Sequence, residues 1–426
     1  MRKTLIILAT VVVTWLLIVI FYYESLDAGL EAFYNQNRVI IPDVDNAAVG
    51  IAGLNAPDGA DFMAFGSAQI KSDPADLIPH DKNVQRQKPI GTIEFNGNIR
   101  ELDCWVYQPE AKKDTNSGCA TEMQLQVLLH DNKILLDRYW QITQLYNLQN
   151  DTGLNNGQLF LNLNKLIAAD IKLNLSKGNH DAAYQSWLKN NLFISRLMAA
   201  DVTWINEAIF MVSYSFSLNS VELLINQYPD IITIHGDELL KVLKPTGLNR
   251  WNLAGIQRAE YHMINIMLSS EEEKYAIDAN FIRNRFYRSA KAYLMAAKSA
   301  PYRVEAEMLQ VGKTYADFDM LTLDYLYAPK TTTLSRLLLG GSLKAGMIVT
   351  SMHNYDGKLR TLTLALLIRK LVIPQDKIES FIANASADLK NPFSGHPIKF
   401  NIQDQVLEFD APGGANKFYV HLQPVL

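Results

Sequence analysis

The sequence predicts a mainly α-helical protein: an N-terminal transmembrane helix, a helical array, and a small C-terminal antiparallel β-meander. Three observations carry this. Residues 4–23 form one apolar run without a charge. From about residue 120 to 390 apolar side chains recur at helical spacing, and no proline falls between Pro109 and Pro229. After Pro397 the period drops to two. The chain has 426 residues, of which 48% are apolar and 20% charged, which excludes a disordered chain and a small disulfide scaffold. A net charge of −4 excludes a general phosphate-held nucleic-acid binder. A mean hydropathy of −0.04 excludes a multi-span membrane protein.

The apolar run covers ~30 Å at ~1.5 Å per residue, the thickness of a bilayer core. Arg2 and Lys3 precede it, and Glu24, Asp27 and Glu31 follow. The positive flank stays cytoplasmic, so the main domain is expected outside the membrane. The rival, a cleaved signal peptide, has a shorter apolar core and a small-residue cleavage site, and Tyr22-Tyr23-Glu24-Ser25-Leu26 offers none. Glu24, Asp27 and Glu31 fall at i, i+3 and i+7, so the helix is expected to continue to about Tyr34 as an amphipathic stalk. Type IV pilins and pseudopilins enter their apolar run through a Gly-Phe-Thr-Leu-x-Glu-type stretch, which this N-terminus lacks.

Four segments follow from composition. Residues 1–35 are anchor and stalk, and 36–120 a mixed, irregular subdomain rich in Asp, Gly, Pro and Asn. Residues 121–390 are the helical domain, and 391–426 a meander packed on the helices. In the second segment we expect a helix near 58–70, a short strand near 91–95 and a surface loop over Pro74–Pro89. Cys104 and Cys119 flank a polar, turn-rich stretch, and outside the cytoplasm they are expected to form a structural disulfide. In the third segment, one helical pattern covers 121–146, with Met123, Val127, Leu128, Ile134, Leu135 and Tyr139 at helical spacing. Helices are expected near 157–176, 180–199 and 202–228, with Asn179 or Asp201 as caps. Others are expected near 236–243, 249–270, 278–300, 334–352, 356–372 and 375–386. Strands are expected at 398–402, 406–410 and 417–422.

The stretch Asn391-Pro392-Phe393-Ser394-Gly395-His396-Pro397, with DNAAVGIAGLNAPDGAD (45–61) and LLDRYWQI (135–142), resembles a family of membrane-anchored proteobacterial envelope proteins. That family carries an Asp-Pro-Phe-x-Gly-x-Pro-type motif after a helix. Here Asn391 stands for the aspartate and Phe400 for the family's tyrosine. The resemblance implies an inner-membrane anchor and an external domain, and it brings no catalytic residues. Pro392, Gly395 and Pro397 are expected to set the turn that starts the meander.

Few patterns point to chemistry. No two of the eight histidines stand at i, i+4, so there is no zinc-protease motif and no metal site is expected. Gly312-Lys313-Thr314 resembles the end of a P-loop, but Glu307 stands where its earlier glycine would be. Ser67 lacks the second glycine of a nucleophile elbow, and Ser342 and Lys344 at i, i+2 diverge on a helix. Asp317, Asp319 and Asp324, like Asp43 and Asp45, read as solvated acidic turns rather than a calcium loop. The strongest charge feature is basic. Arg283, Arg285, Arg288, Lys291, Lys298 and Arg303 lie in a stretch (279–304) without an acid. Ile282, Phe286, Ala290, Tyr293 and Ala297 would form its buried stripe, leaving a face able to bind anionic lipid, a cell-wall polymer or an acidic partner.

The sequence thus points to a single-pass bacterial inner-membrane protein with a periplasmic domain. It contacts the bilayer through residues 4–23, needs no cofactor and binds no nucleic acid. It most resembles an interaction or scaffold component that works with other envelope proteins. A membrane-tethered hydrolase of envelope material and a helical small-ligand receptor are the alternatives.

Overall fold

The computed structural model describes residues 25–35, 41–71, 91–106, 119–146, 148, 156–275, 278–316, 329–340, 345–411 and 417–422. The apolar run 4–23, the Pro74–Pro89 loop, Asp317, Asp319, Asp324, Ser342 and Lys344 lie outside the described residues. The described chain is mainly helical, with a three-stranded antiparallel sheet near its C-terminal end. It divides into two compact units, neither continuous in sequence. The first comprises Met1–Val39, Asp73–Pro79 and Gln257–Thr350; the second comprises Ile40–Ser72, His80–Ile256 and Ser351–Leu426.

The helices, in order, are α1 (Leu30–Tyr34), α2 (Ala47–Ala52), α3 (Phe62–Lys71), α4 (Asp103–Val106), α5 (Glu122–Asp131), α6 (Lys133–Ile142), α7 (Gly157–Ser176) and α8 (His180–Met198). Then come α9 (Trp204–Gln227), α10 (Pro229–Val242), α11 (Leu253–Tyr275), α12 (Ala279–Ala296), α13 (Pro301–Ala316), α14 (Pro329–Gly340), α15 (Ala345–Lys370) and α16 (Ile378–Ala383). Strands β1 (Lys399–Asn401), β2 (Val406–Asp410) and β3 (Lys417–His421) follow.

In the first unit α12, α13 and α14 pack on one another. Asp278 caps α12 by accepting the Phe281 N–H at 3.1 Å. Ile282, Phe286, Ala290, Tyr293 and Ala297 are all buried, as their spacing predicts. The segment leading out of the apolar run is not a continuous helical stalk. Ser25 to Asp27 are non-helical, and α1 is a single turn laid into the core. Two interactions hold this stretch in place. The Asn284 amide donates to Ser25 O at 2.7 Å, and its Oδ1 accepts the Asp27 N–H at 2.8 Å. At Gly29 a Cβ would meet the Tyr287 hydroxyl, so the absence of a side chain lets the two segments approach. Tyr34 then stacks on Tyr261, with ring centroids 3.7 Å apart.

In the second unit α7, α8 and α9 pack against each other, with α10 against α8 and α9. The three helix spans are close to those predicted, but their caps are not. Thr203 caps α9 by accepting the Asn206 N–H at 3.4 Å, and Asn179 makes no side-chain cap bond. Asp201 instead accepts the Asn252 amide at 2.8 Å. A buried polar lattice sets the register. Tyr139 O–H reaches Asn190 Oδ1 at 2.6 Å and Asn164 Oδ1 at 3.0 Å, while Ser217 O–H donates to Asn191 Oδ1 at 2.9 Å.

Three further expectations are corrected, and one helix is added. The pattern over 121–146 is two helices, α5 and α6, broken at Asn132, and Met123, Val127 and Ile134 face outward. No strand forms at 91–95. Ile93 N–H bonds Asn55 O at 3.0 Å, and the Asn132 amide pairs the Asn96 backbone at 2.9 and 2.8 Å, so a side chain replaces a neighbouring strand. The predicted break between 352 and 356 is absent, because α15 runs unbroken across it. Gly312-Lys313-Thr314 lies inside α13, a helix the periodicity did not reveal, with Thr314 O–H bonded to Gln310 O at 2.9 Å.

The 45–61 and 135–142 stretches meet in space. Asn46 caps α2, and Gly53 of one helix turn and Gly66 of α3 let two backbones touch where any Cβ would clash. Arg138, 6% exposed, grips the following loop, donating to Leu54 O, Ala56 O and Pro57 O at 2.9, 2.6 and 2.8 Å. Cys104 and Cys119 are disulfide-bonded with Cα atoms 6.0 Å apart. A loop of this size stabilises a fold by ~3 kcal/mol. The meander has the order β1-β2-β3, with Phe400 opposite Leu407 and Leu407 opposite Val420. Replacing Arg138 by Met should cost about 3 kcal/mol by stranding three carbonyls, read as a lower urea midpoint with unchanged slope. An unchanged midpoint would contradict the grip.

Candidate functional site

The described residues with the most chemistry converge inside the second unit, on α15. His353, Asp356 and Arg360 stand at i, i+3 and i+7 and share a face. Asp356 is 1% exposed. It accepts the Gly247 N–H at 2.9 Å and Arg360 Nε at 2.7 Å. Gly247 has φ of 57°, a left-handed conformation that favours glycine. Arg360 also donates to Lys390 O at 2.9 Å. The carboxylate therefore ties α15 to the 244–250 loop and, through Arg360, to the chain entering the meander.

Around this pair stand polar groups without hydrogen-bond partners among the described residues: His353 Nε2, Tyr214 O–H from α9, and Arg250 Nε. The Arg250 guanidinium lies 5.6 Å from the Tyr214 ring centroid and donates to Ser195 Oγ and Lys244 O. Burial holds the Tyr214 hydroxyl above its ordinary range, with Arg250 opposing and Asp356 adding. Burial also lowers the His353 imidazole to about 4, against the pull of Asp356, so it is neutral at pH 7. One more acid belongs to the same helix face as Tyr214. Glu207 is seven residues earlier on α9, ~10 Å along the axis. It is 0% exposed, and neither oxygen has a hydrogen-bond partner among the described residues. Burial raises its carboxyl well above the usual range. The interior thus combines a desolvated acid, a neutral imidazole and a tyrosine, each with hydrogen-bonding capacity left over for a small polar molecule.

A second constellation joins the starts of α8 and α10. His180 Nδ1 lies 2.7 Å from Asp230, and His235 Nε2 lies 3.2 Å from Asp181. The His235 ring stacks on Tyr184 at 3.9 Å, and Tyr184 O–H donates to Glu238 at 2.7 Å. Burial would raise Asp230, but the hydrogen bond and charge of His180 win and hold it below the usual carboxylate range. Among the described residues no group of three or more His, Cys, Asp or Glu is arranged to hold a metal ion.

The sequence-predicted site residues are placed differently. The basic residues do not share one face. Arg285 is buried and donates to Tyr315 O at 3.1 and 3.0 Å. Arg283 bonds Asn265 and Asn280. Arg288, Lys291 and Lys298 are exposed. Pro392, Gly395 and Pro397 lie at the turn before β1. There Asn391 N–H bonds His396 O, Gly395 N–H bonds Asn391 O, and Gly395 has φ of 68°. That turn buries Phe393 against Phe409 and Ala411. Sequence reasoning missed Glu207, Tyr214 and the His353–Asp356–Arg360 face. The i, i+3, i+7 spacing of the last three was visible, but nothing in it separates a buried face from a wet one. No family model matches this chain, and neither does any curated protein or solved structure.

Two opposite pH dependences follow. The lowered folded pKa of His353 contributes stability above pH ~6.5 that is lost as pH falls toward about 4. His353→Phe should remove up to about 3 kcal/mol of this acid sensitivity in urea titrations between pH 4 and 7. The raised Glu207 pKa works the other way, with stability fully present below pH ~4.5 and lost as pH rises. Glu207→Met should therefore gain on wild type at pH 8 relative to pH 5. Parallel pH profiles for variant and wild type would refute either assignment.

Proposed function

We propose that this is a membrane-anchored envelope protein of the interaction, assembly or scaffold class, with residues 4–23 in the inner membrane and its folded units in the periplasm. The observation that carries this reading is the joint between run and body. Ser25 is hydrogen-bonded to Asn284, and Leu30 and Tyr34 are buried in the core of the first unit. A chain leaving a bilayer at Tyr23 would enter a folded body within two residues, so that body would be held at fixed height. A tethered enzyme that must search for substrate gains from a long flexible linker. A scaffold gains from a rigid one. A candidate docking surface is the outer side of α5, where Met123 and Val127 are 73% and 53% exposed at i, i+4.

A second reading, a helical receptor for a small polar ligand, is favoured by the buried acid Glu207 and by His353 Nε2 and Tyr214 O–H.

A photo-crosslinking residue at Met123 or Val127 in intact membranes should give one reproducible protein adduct, and a probe at exposed Gln310 should not give it. A phosphatase fused to the C-terminus should be active outside the cytoplasm. No adduct, together with turnover of a cell-wall substrate by the purified chain, would overturn the scaffold reading. An inactive fusion would overturn the orientation.

A further inference from the structure

The exposed side of α12 carries a stripe that the proposed anchor reading brings to the bilayer. Asn284, Arg288, Lys291 and Met295 follow at i, i+4, i+7 and i+11, and Lys298 comes one turn later, just past the helix end. Asn284 is buried because Ser25–Gly29 lies over it, through the Ser25 and Asp27 bonds. The rest of the stripe is exposed, and Met295 is 72% exposed. Lys291 is held close to the exit segment. Its ammonium lies 5.0 Å from the Tyr287 ring centroid, and the Tyr287 hydroxyl abuts Gly29. No acid occurs between residues 279 and 304.

Distances decide where this stripe sits. Ser25 is two residues beyond Tyr23, so it is at most ~7 Å from the end of the apolar run. The headgroup layer is itself ~5–7 Å thick on each side of a bilayer core. Asn284 therefore sits at headgroup level. Arg288 is ~6 Å along the axis, inside the ~8 Å Debye length of physiological salt, and Lys291 at ~10 Å is just beyond it. The exposed side of this otherwise buried helix thus presents cations that an anionic surface attracts, with one large apolar side chain among them.

We propose that the Arg288–Lys291–Met295–Lys298 stripe lies on the anionic phospholipid headgroups of the bilayer that holds residues 4–23, with α12 along the membrane plane. The inference rests on the anchor reading. Each cation near an anionic surface strengthens attraction about fivefold, and Met295 adds apolar burial at the headgroup boundary.

The test uses the full chain carrying Met295→Cys, a label site that keeps every charge of the stripe. The two native cysteines are consumed by their disulfide. A fluorophore at this position is read in proteoliposomes containing a headgroup-nitroxide lipid. One set is pure phosphatidylcholine, and the other contains 30% phosphatidylglycerol. Quenching should be about twofold stronger or more with phosphatidylglycerol. It should fall to the neutral-lipid level in 0.5 M salt and with Arg288→Glu, Lys291→Glu and Lys298→Glu combined. Quenching indifferent to lipid charge, or unchanged by salt, would overturn the proposal. If the triple variant fails to fold by circular dichroism, the salt titration of the unreversed chain decides. Alkaline carbonate extraction of the same vesicles separates the two ideas. Release of the chain refutes the anchor, whereas retention without quenching refutes only the headgroup contact.

Discussion

The second unit is organised by the need to cover α9. This helix carries only two charged residues, Glu207 and Glu222, and both are buried. Among the described residues it is the helix long and apolar enough to cross a membrane, yet most of its apolar window is enclosed by protein. A helix apolar nearly all round cannot be left in water, because each large side chain loses ~1.5–3 kcal/mol of burial if exposed. Helices α7, α8 and α10 together with α4 and β3 pack on it. Its two acids are treated differently. Glu222 meets Lys358 at 3.4 Å and accepts the His421 N–H, which fastens both α15 and the sheet to α9. Glu207 is desolvated without a hydrogen bond among the described residues.

That contrast separates groups that hold the fold from groups that cost stability. Arg138, Asp356 and Glu222 are buried but satisfied by several partners, so each bond couples distant segments. Burial pushes Glu207 toward its neutral form and keeps His353 neutral at pH 7, the cheaper state for a buried ionisable group. Their shifts oppose each other in pH, so the interior tolerates neither strong acid nor strong base. Such groups are retained against their cost most readily where a proton or polar ligand uses them.

The first unit gives the protein its mechanical character. The Tyr34–Tyr261 stack, the Asn284 clamp and the Gly29–Tyr287 contact leave no free linker between Ser25 and the core. Ser25 to Tyr34 is therefore fixed to the helices of the first unit. It also fixes which face of α12 lies under Ser25 and Asp27. Polarity and packing act together here: Arg285 turns inward to a backbone carbonyl, while Arg288 and Lys291 remain outside.

Helical class, the spans of α7 to α9, the cysteine pair and the three terminal strands were legible because each depends on local periodicity or on short-range closure. The turn at Asn391–Pro397 was legible for the same reason, since proline and glycine constrain φ directly. Other features depend on residues far apart in sequence. The extended stretch at 92–96 is paired by Asn132 rather than by a strand, and Arg138 grips carbonyls some eighty residues away. The apolar spacing of Met123, Val127 and Ile134 marks a helix, but only neighbouring elements decide which face is covered. The basic stretch of α12 was visible as composition, and only packing could divide it into inward and outward cations. Sequence alone determined the helical class, the spans of α7 to α9 and the terminal strands, because backbone hydrogen bonding and side-chain period are local. Tertiary structure alone decided which acids are charged, which faces are wet and how the exit segment is held, because burial depends on what the rest of the chain places alongside.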